Sequence, residues 1–253
     1  DVFLTPCSAP NEHGFVHFGA HMWQRKSYAR RCKTTIAAVD PNITPVHGDV
    51  WVHVSEIACF VDGAIRAVDV AAVRRRVETL ANHADRTVLL DILSKASPEQ
   101  IALAEDAFHM LPPGAIATAF GYAEVDPASH GIAENIKPLI RDGDTIQVGV
   151  GQPSQLMFKA GAFDDAHDLG LHTELGSPGL AKLWERGVLN ASKKTLHRGK
   201  NVAIAWTGCD GEDLQLIADN PVFELHDPDF LLNPAYMSQN RNMTSINSAI
   251  AVD

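Results

Sequence analysis

The sequence predicts an α/β fold with open, largely parallel sheets in two parts, separated by a helical stretch. Three observations predict it. From Asp144 onward, strand-like and helix-like segments alternate, the pattern of parallel strands joined by crossover helices. Near the start, short β-prone segments are broken by proline and glycine turns. Between these parts, apolar residues recur at helical spacing. The expected division is 1–63, a helical insertion over 64–140, and 141–253, the last boundary falling at Arg141-Asp142-Gly143.

The elements follow in order. Val2 to Cys7 reads as a buried strand, and Pro10 to Gly14 as a turn. Ser27 to Cys32 is a helix and Thr34 to Val39 a strand rich in β-branched residues and alanine. Pro41 to Asp49 is loop, and Val50 to Val54 alternates as a strand. Val70, Val73, Val77 and Leu80 define one apolar helix face. Ser97 with Gln100 is a capping-box pattern for a helix over Pro98 to Met110, which Pro112-Pro113-Gly114 ends. Asp126-Pro127 and His130-Gly131 read as loop, and Glu134 to Ile140 as a short helix. Strands are then expected at Thr145–Val150, Leu169–His172, Asn201–Trp206, Val222–Leu225 and Met243–Ile250. The helices between them are Ser154–Ala160, with Ser154 as cap, Gly179–Arg186 and Glu212–Ala218.

Composition narrows the function classes. The 253 residues carry a formal charge of −10 and 45% hydrophobic residues, as in an ordinary globular protein. That charge gives no global attraction for nucleic acid or an anionic membrane. The Arg74-Arg75-Arg76 run reads as a solvated helix face. No apolar run approaches membrane-spanning length and no signal-peptide pattern opens the chain. Cys7, Cys32, Cys59 and Cys209 are widely spaced, which fits a reducing cytoplasm rather than a disulfide scaffold. Asp1 runs straight into a strand and the chain stops within apolar Ile250-Ala251-Val252, so both ends read as cut.

Chemistry concentrates between Asp144 and Glu174. Gly149-Val150-Gly151 ends a strand in a turn where backbone can approach a ligand. It is not a dinucleotide fingerprint, because Ser154 stands where the third glycine would be. A serine-hydrolase elbow is also missing. Glu174 follows the next strand. On pattern alone it is an exposed loop carboxylate. A carboxylate can also act as a covalent nucleophile when it is ionised, poorly solvated and faced by donors for the developing oxyanion. His13, His17 and His21 have the spacing of a helical metal face, but Gly14 and Gly19 interrupt it and no metal is expected there.

Several stretches in order resemble the acetyl-CoA hydrolase/transferase family, which includes 4-hydroxybutyrate and butyrate:acetate CoA-transferases. They are Asp1 to Leu4, Ser8-Ala9-Pro10-Asn11-Glu12-His13-Gly14-Phe15 and His47 to Ile57. Val148 to Gly151, Leu169-Gly170-Leu171-His172-Thr173-Glu174, Gly187 to Leu189 and Ser245-Ile246-Asn247-Ser248 continue the set. The resemblance implies two open α/β domains of CoA-transferase type. It also implies a glutamate that cycles through an acyl anhydride and a glutamyl-CoA thioester, which falls on Glu174. Coenzyme A contacts fall on Gly149, Val150, Gly151, Gln152 and Pro153, with a further one on Ile250. His172 and Asn247 are the residues expected to support them. Substrates would be an acyl-CoA and a small carboxylic acid, with no tightly bound cofactor. The protein would be a homo-oligomer or work with a subunit supplying a further Gly-Val-Gly-Gly-Gln segment that the family carries. Hydrolysis by the same glutamate, and a catalytically incomplete paralogue that binds CoA or a partner, are the alternatives. The chain departs from the family at Ser177-Pro178-Gly179, at Ala251 and in the long 64–132 region.

Overall fold

The computed structural model describes residues 1–107 and 111–251. The first elements are β1 (Val2–Cys7), β2 (Phe15–Val16), α1 (Arg25–Arg31), β3 (Thr34–Val39), β4 (His47–Gly48), β5 (Val52–His53) and β6 (Cys59–Val61). β1, β3 and β6 form a parallel sheet in that order. β1 is its edge and is only half buried. Thr5 and Cys7 turn inward, whereas Val2 and Leu4 are 64% and 70% exposed. An apolar run does not itself say whether both faces are covered, so the expectation of a buried strand failed here. The turn after β1 forms as expected: Asn11 Oδ1 accepts from the backbone N–H of His13 at 3.0 Å and Phe15 at 2.9 Å. The strand expected over Val50–Val54 shrinks to β5. His53 caps a short 3₁₀ turn, reciprocated by Glu56, and the backbone leaves the ladder.

Helices follow: α2 (Val70–Glu78), α3 (His83–Lys95), α4 (Pro98–Ala107), α5 (Pro113–Ala119) and α6 (Pro127–Ile136). Asp69 and Asn82 cap α2 and α3. The Ser97–Gln100 capping box closes in both directions, at 3.1 and 3.2 Å. The last three residues of the helix predicted over Pro98–Met110 lie outside the described residues. Val73, Val77, Leu89, Ile92, Leu93, Ile101, Ala104 and Ile116 form a core of their own. Two sequence expectations are corrected in this region. Pro113, expected as a break, opens α5, and Asp126-Pro127 opens α6, which carries His130 and Gly131 within it. Proline at the first helical position sacrifices an N–H that has no helical partner anyway, so a residue that reads as a break can start a helix.

The last elements are β7 (Thr145–Val148), β8 (Gly170–Leu171), α7 (Leu180–Glu185), β9 (Asn201–Ala203), α8 (Gly211–Ile217), β10 (Phe223–Leu225), α9 (Pro228–Leu231), α10 (Pro234–Met237) and β11 (Met243–Ile246). β11, β7 and β8 are parallel, as are β9, β10 and β4. Parallel bridges His172–Val202 and Leu175–Ala205 join β8 to β9, giving the run β11-β7-β8-β9-β10-β4. β4, expected to be loop, closes this run from the first part of the chain. Gly48 permits it: its φ is 109°, and a Cβ there would lie 2.3 Å from the Leu225 carbonyl oxygen. The helix expected over Ser154–Ala160 is only a 3₁₀ turn, Ser154–Leu156, and Ser154 does not cap it. Its hydroxyl meets the Ser248 hydroxyl at 2.7 Å instead. Fully buried Ile146, Phe163, Leu171, Trp206 and Phe223 lie in one core beneath this sheet. Such side chains each stabilise the fold by about 1.5–3 kcal/mol through burial.

Candidate functional site

Carboxyl ends of β7, β8, β9 and β11 converge at one edge of the sheet, the place where open parallel sheets leave a crevice. Gly149, just past β7, donates its N–H to the Ile246 carbonyl at 2.8 Å. A Cβ at Gly149 would lie 2.4 Å from Asn247 Oδ1, so a larger residue would displace the Asn247 side chain. Asn247 in turn exchanges hydrogen bonds with the Gln147 amide at 2.9 and 3.3 Å. Gly151 then turns the chain with φ 85°. On the neighbouring strand, the Thr173 hydroxyl donates to the Val148 carbonyl at 3.2 Å, which ties β7 to the residue before Glu174.

Glu174 is half buried. Its backbone carbonyl accepts from the N–H of Ile204 at 3.0 Å, which fixes the main chain. Its carboxylate has no hydrogen-bond or ion-pair partner among the described residues. A cavity of about 530 Å³ opens at the next residue, walled by Gly149–Gly151, Leu175–Ser177, Thr207, Gly208 and one face of α5. Every residue on that wall is uncharged. Glu174 itself stands one residue before the wall.

The other expected site residues divide. Gly149, Val150 and Gly151 line the cavity and Asn247 packs on Gly149. Gln152 is exposed and Pro153 half buried in the same turn, both off the wall. Ile250 is fully exposed and likewise off it. His172 does not support Glu174. It is fully buried, its Nε2 donates to the Leu231 carbonyl at 2.9 Å, and its Nδ1 accepts from Asn240 Nδ2 at 3.2 Å. Sequence reasoning missed Thr207 and Gly208, which lie beyond β9 and could have been found by the carboxyl-end rule. It also missed the α5 wall, for which no local signal exists.

The engagement of His172 has a measurable consequence. Burial pushes its pKa down to about 4, from the 6.5 of an exposed imidazole. The unfolded chain therefore binds the proton first as pH falls from 6.5 to 4. Stability is full above 6.5 and is lost through that window, by up to about 3 kcal/mol for this residue. Burial moves His17 in the same direction. Thermal unfolding midpoints measured from pH 7 to 4 should fall, and His172→Gln should flatten the fall. An unchanged slope in the variant would reject this assignment.

Of the three evenly spaced histidines, two are engaged by other groups. His17 Nδ1 accepts from the Gly19 N–H at 3.1 Å, and His21 Nδ1 meets Thr207 Oγ1 at 2.7 Å. A different set, His197, Glu224 and His226, brings its ligand atoms within 4.8 Å of one another. Those atoms are already engaged. Lys200 Nζ lies 2.8 Å from Glu224 Oε1, His226 Nε2 lies 3.2 Å from Oε2, and His197 Nε2 is 2.6 Å from the Tyr236 hydroxyl. An ion would have to displace a paired ammonium.

Two parallel sheets with a glycine turn and a carboxylate at one carboxyl edge make this an α/β fold, and its structural neighbours have CoA-transferase-type folds. The structure aligns over 100% of its length with 51% of a 4-hydroxybutyrate CoA-transferase from Porphyromonas gingivalis, with TM-score 0.68 and 25% identity. RipA from Yersinia pestis shares the fold, with TM-score 0.68 and 24% identity over 98% of this chain and 44% of that one. In sequence, the chain is 29% identical over 255 residues to 4-hydroxybutyrate coenzyme A transferase of Clostridium kluyveri, covering all of this chain and 47% of that protein. It is 26% identical over 253 residues to succinyl-CoA:cyclohexane-1-carboxylate CoA transferase of Geobacter metallireducens, covering 46% of it. The chain thus resembles CoA-transferases along its whole length and spans about half the length of the curated relatives it matches. No family model matches it. Among the described residues, no helix is long and apolar enough to cross a membrane.

Proposed function

We propose that this chain carries the nucleophile of an acyl-CoA:carboxylate CoA-transferase, with Glu174 as that nucleophile. The observation that carries the reading is Glu174 just past the carboxyl end of β8, half buried and free of partners among the described residues, one residue before the wall of an uncharged cavity rimmed by the Gly149–Gly151 turn. Likeness to CoA-transferases over the whole chain supports it.

The chemistry follows from the carboxylate. One Glu174 oxygen attacks the thioester carbonyl, the C–S bond breaks, and CoA leaves as thiolate, giving an acyl-glutamyl anhydride. The thiolate attacks the glutamyl carbonyl, releasing the first acid as carboxylate and leaving a glutamyl-CoA thioester. An incoming carboxylate attacks that thioester and frees the thiolate again. The thiolate then takes the new acyl group, and Glu174 returns as carboxylate. No proton or electron is gained or lost overall, and kinetics are ping-pong. The backbone N–H groups of Val150 and Gly151, which unlike that of Gly149 have no partner among the described residues, are the candidates for holding the CoA side of the substrate. Asn247 buttresses that turn.

The test is covalent trapping. The protein is incubated with butyryl-CoA, quenched and digested, and its peptides are weighed by mass spectrometry. The expected result is a gain of CoA less water on the Glu174 peptide. An adduct on another peptide, or none with transfer intact, would sink the mechanism. Release of free CoA at the same rate with and without added acetate would replace transfer by hydrolysis.

A further inference from the structure

The helices between β6 and β7 do more than fill the space between two sheets. α5 presents Ala115, Thr118 and Ala119, at helical i, i+3, i+4 spacing, to the cavity that opens one residue past Glu174. This wall is held at its C-terminal end. Gln155 Nε2, from the glycine-turn side, donates to the Thr118 carbonyl at 3.4 Å. Lys159 Nζ donates to the carbonyls of Gly121 at 3.2 Å and Ala123 at 3.0 Å. A Cβ at Gly121 would lie 2.5 Å from the Gly208 carbonyl oxygen, so the chain leaving α5 rests directly on the opposite rim. Gln100 of α4 donates to the Cys209 carbonyl at 2.9 Å, and the Tyr122 hydroxyl accepts from the Gly211 N–H at the same distance. A wall fastened through backbone at the end of the helix is a fixed surface whose side chains set the cavity's size.

We infer that α5 is the specificity-determining wall of the site, and that the cavity it closes receives the acyl chain of the thioester. The inference rests on the transfer reading above. No cation lines the cavity, so an acyl group with a second carboxylate would be desolvated there without a partner. A neutral chain buries only apolar surface. The class selected is therefore the monocarboxylic acyl-CoA, with length limited by Ala115 and Ala119. Alanine to leucine is nearly neutral for a helix, so enlarging either position narrows the cavity without breaking α5.

The experiment measures kcat/KM for acetyl-, butyryl-, hexanoyl- and succinyl-CoA with a common acceptor, in the wild-type protein and in Ala115→Leu and Ala119→Leu. Wild type should prefer butyryl- over succinyl-CoA by at least about 10-fold. The leucine variants should lower the hexanoyl-to-acetyl ratio of kcat/KM by about 10- to 100-fold. A ratio unchanged in both variants overturns the inference. So does an equal loss for all four donors, which would assign α5 to the CoA portion they share. The same four thioesters are also titrated calorimetrically into Glu174→Gln, alone and combined with Ala119→Leu. A chain-length preference in Kd that Ala119→Leu leaves unaltered overturns the wall regardless of turnover. An α5-dependent preference without turnover or a Glu174 adduct would support the wall and retire the transfer reading.

Discussion

Glu174→Gln is expected to lower CoA transfer by at least about 10³-fold while leaving the fold almost untouched. The two halves of that expectation come from different observations. An amide has the shape of the carboxylate but lacks its nucleophilic oxygen, so neither the anhydride nor the glutamyl-CoA thioester can form. The carboxylate makes no hydrogen bond or ion pair among the described residues, so its removal leaves no buried partner stranded. Stability should change by less than about 1 kcal/mol, as for substitutions away from a buried network. Glu174→Asp, which withdraws the nucleophile by about 1 Å, should fall between, at roughly 10²-fold. Steady-state rates and urea unfolding of the same preparations check both halves. Transfer within tenfold of wild type in Glu174→Gln would remove Glu174 from the reaction. A large stability loss would mean that the carboxylate is structural.

The second large effect is on the fold. Gly211 opens α8, and a Cβ there would lie 1.9 Å from the Lys95 carbonyl oxygen at the end of α3 and 2.8 Å from the Tyr122 hydroxyl. The nearest obstacle is backbone, so no rotamer change relieves it. Gly211→Ala must push the α2–α5 helices away from α8. It also disturbs the hydrogen bond from the Gly211 N–H to Tyr122. The expected destabilisation is about 3 kcal/mol or more, the range of overpacked, strained sites. It is measured as a lower urea midpoint. The separate core of the helices, built on Val73, Val77, Leu89 and Ile92, should keep far-UV helicity largely intact. Acyl-chain discrimination should weaken in the same protein, because α5 moves with its neighbours. A midpoint matching wild type would show that the helices and α8 do not dock through this contact.

Much of the fold was legible residue by residue. The Ser97–Gln100 box, the Asn11 turn and the strands starting at Val2, Thr34, Thr145 and Asn201 all formed where local pattern put them. These signals are complete within a few residues, because a cap or a two-residue period needs no distant partner. The failures share the opposite property. His47–Gly48 becomes strand only because β10 lies beside it with Leu225 against Gly48. Pro113 and Pro127 look like breaks until the turn after each is seen to be helical.

The site divides in the same way. Sequence by itself determined that a glycine turn and Glu174 follow two successive strands, since both are local features of the chain. Only the tertiary structure decided that Asn247 packs on Gly149, that His172 is engaged by Leu231 and Asn240 away from Glu174, and that α5 walls the cavity. The physical reason is that parallel strands bring their carboxyl ends together through long crossovers. Which side chains share a crevice is therefore set by sheet order and helix docking, and those are properties of contacts between residues far apart in the chain.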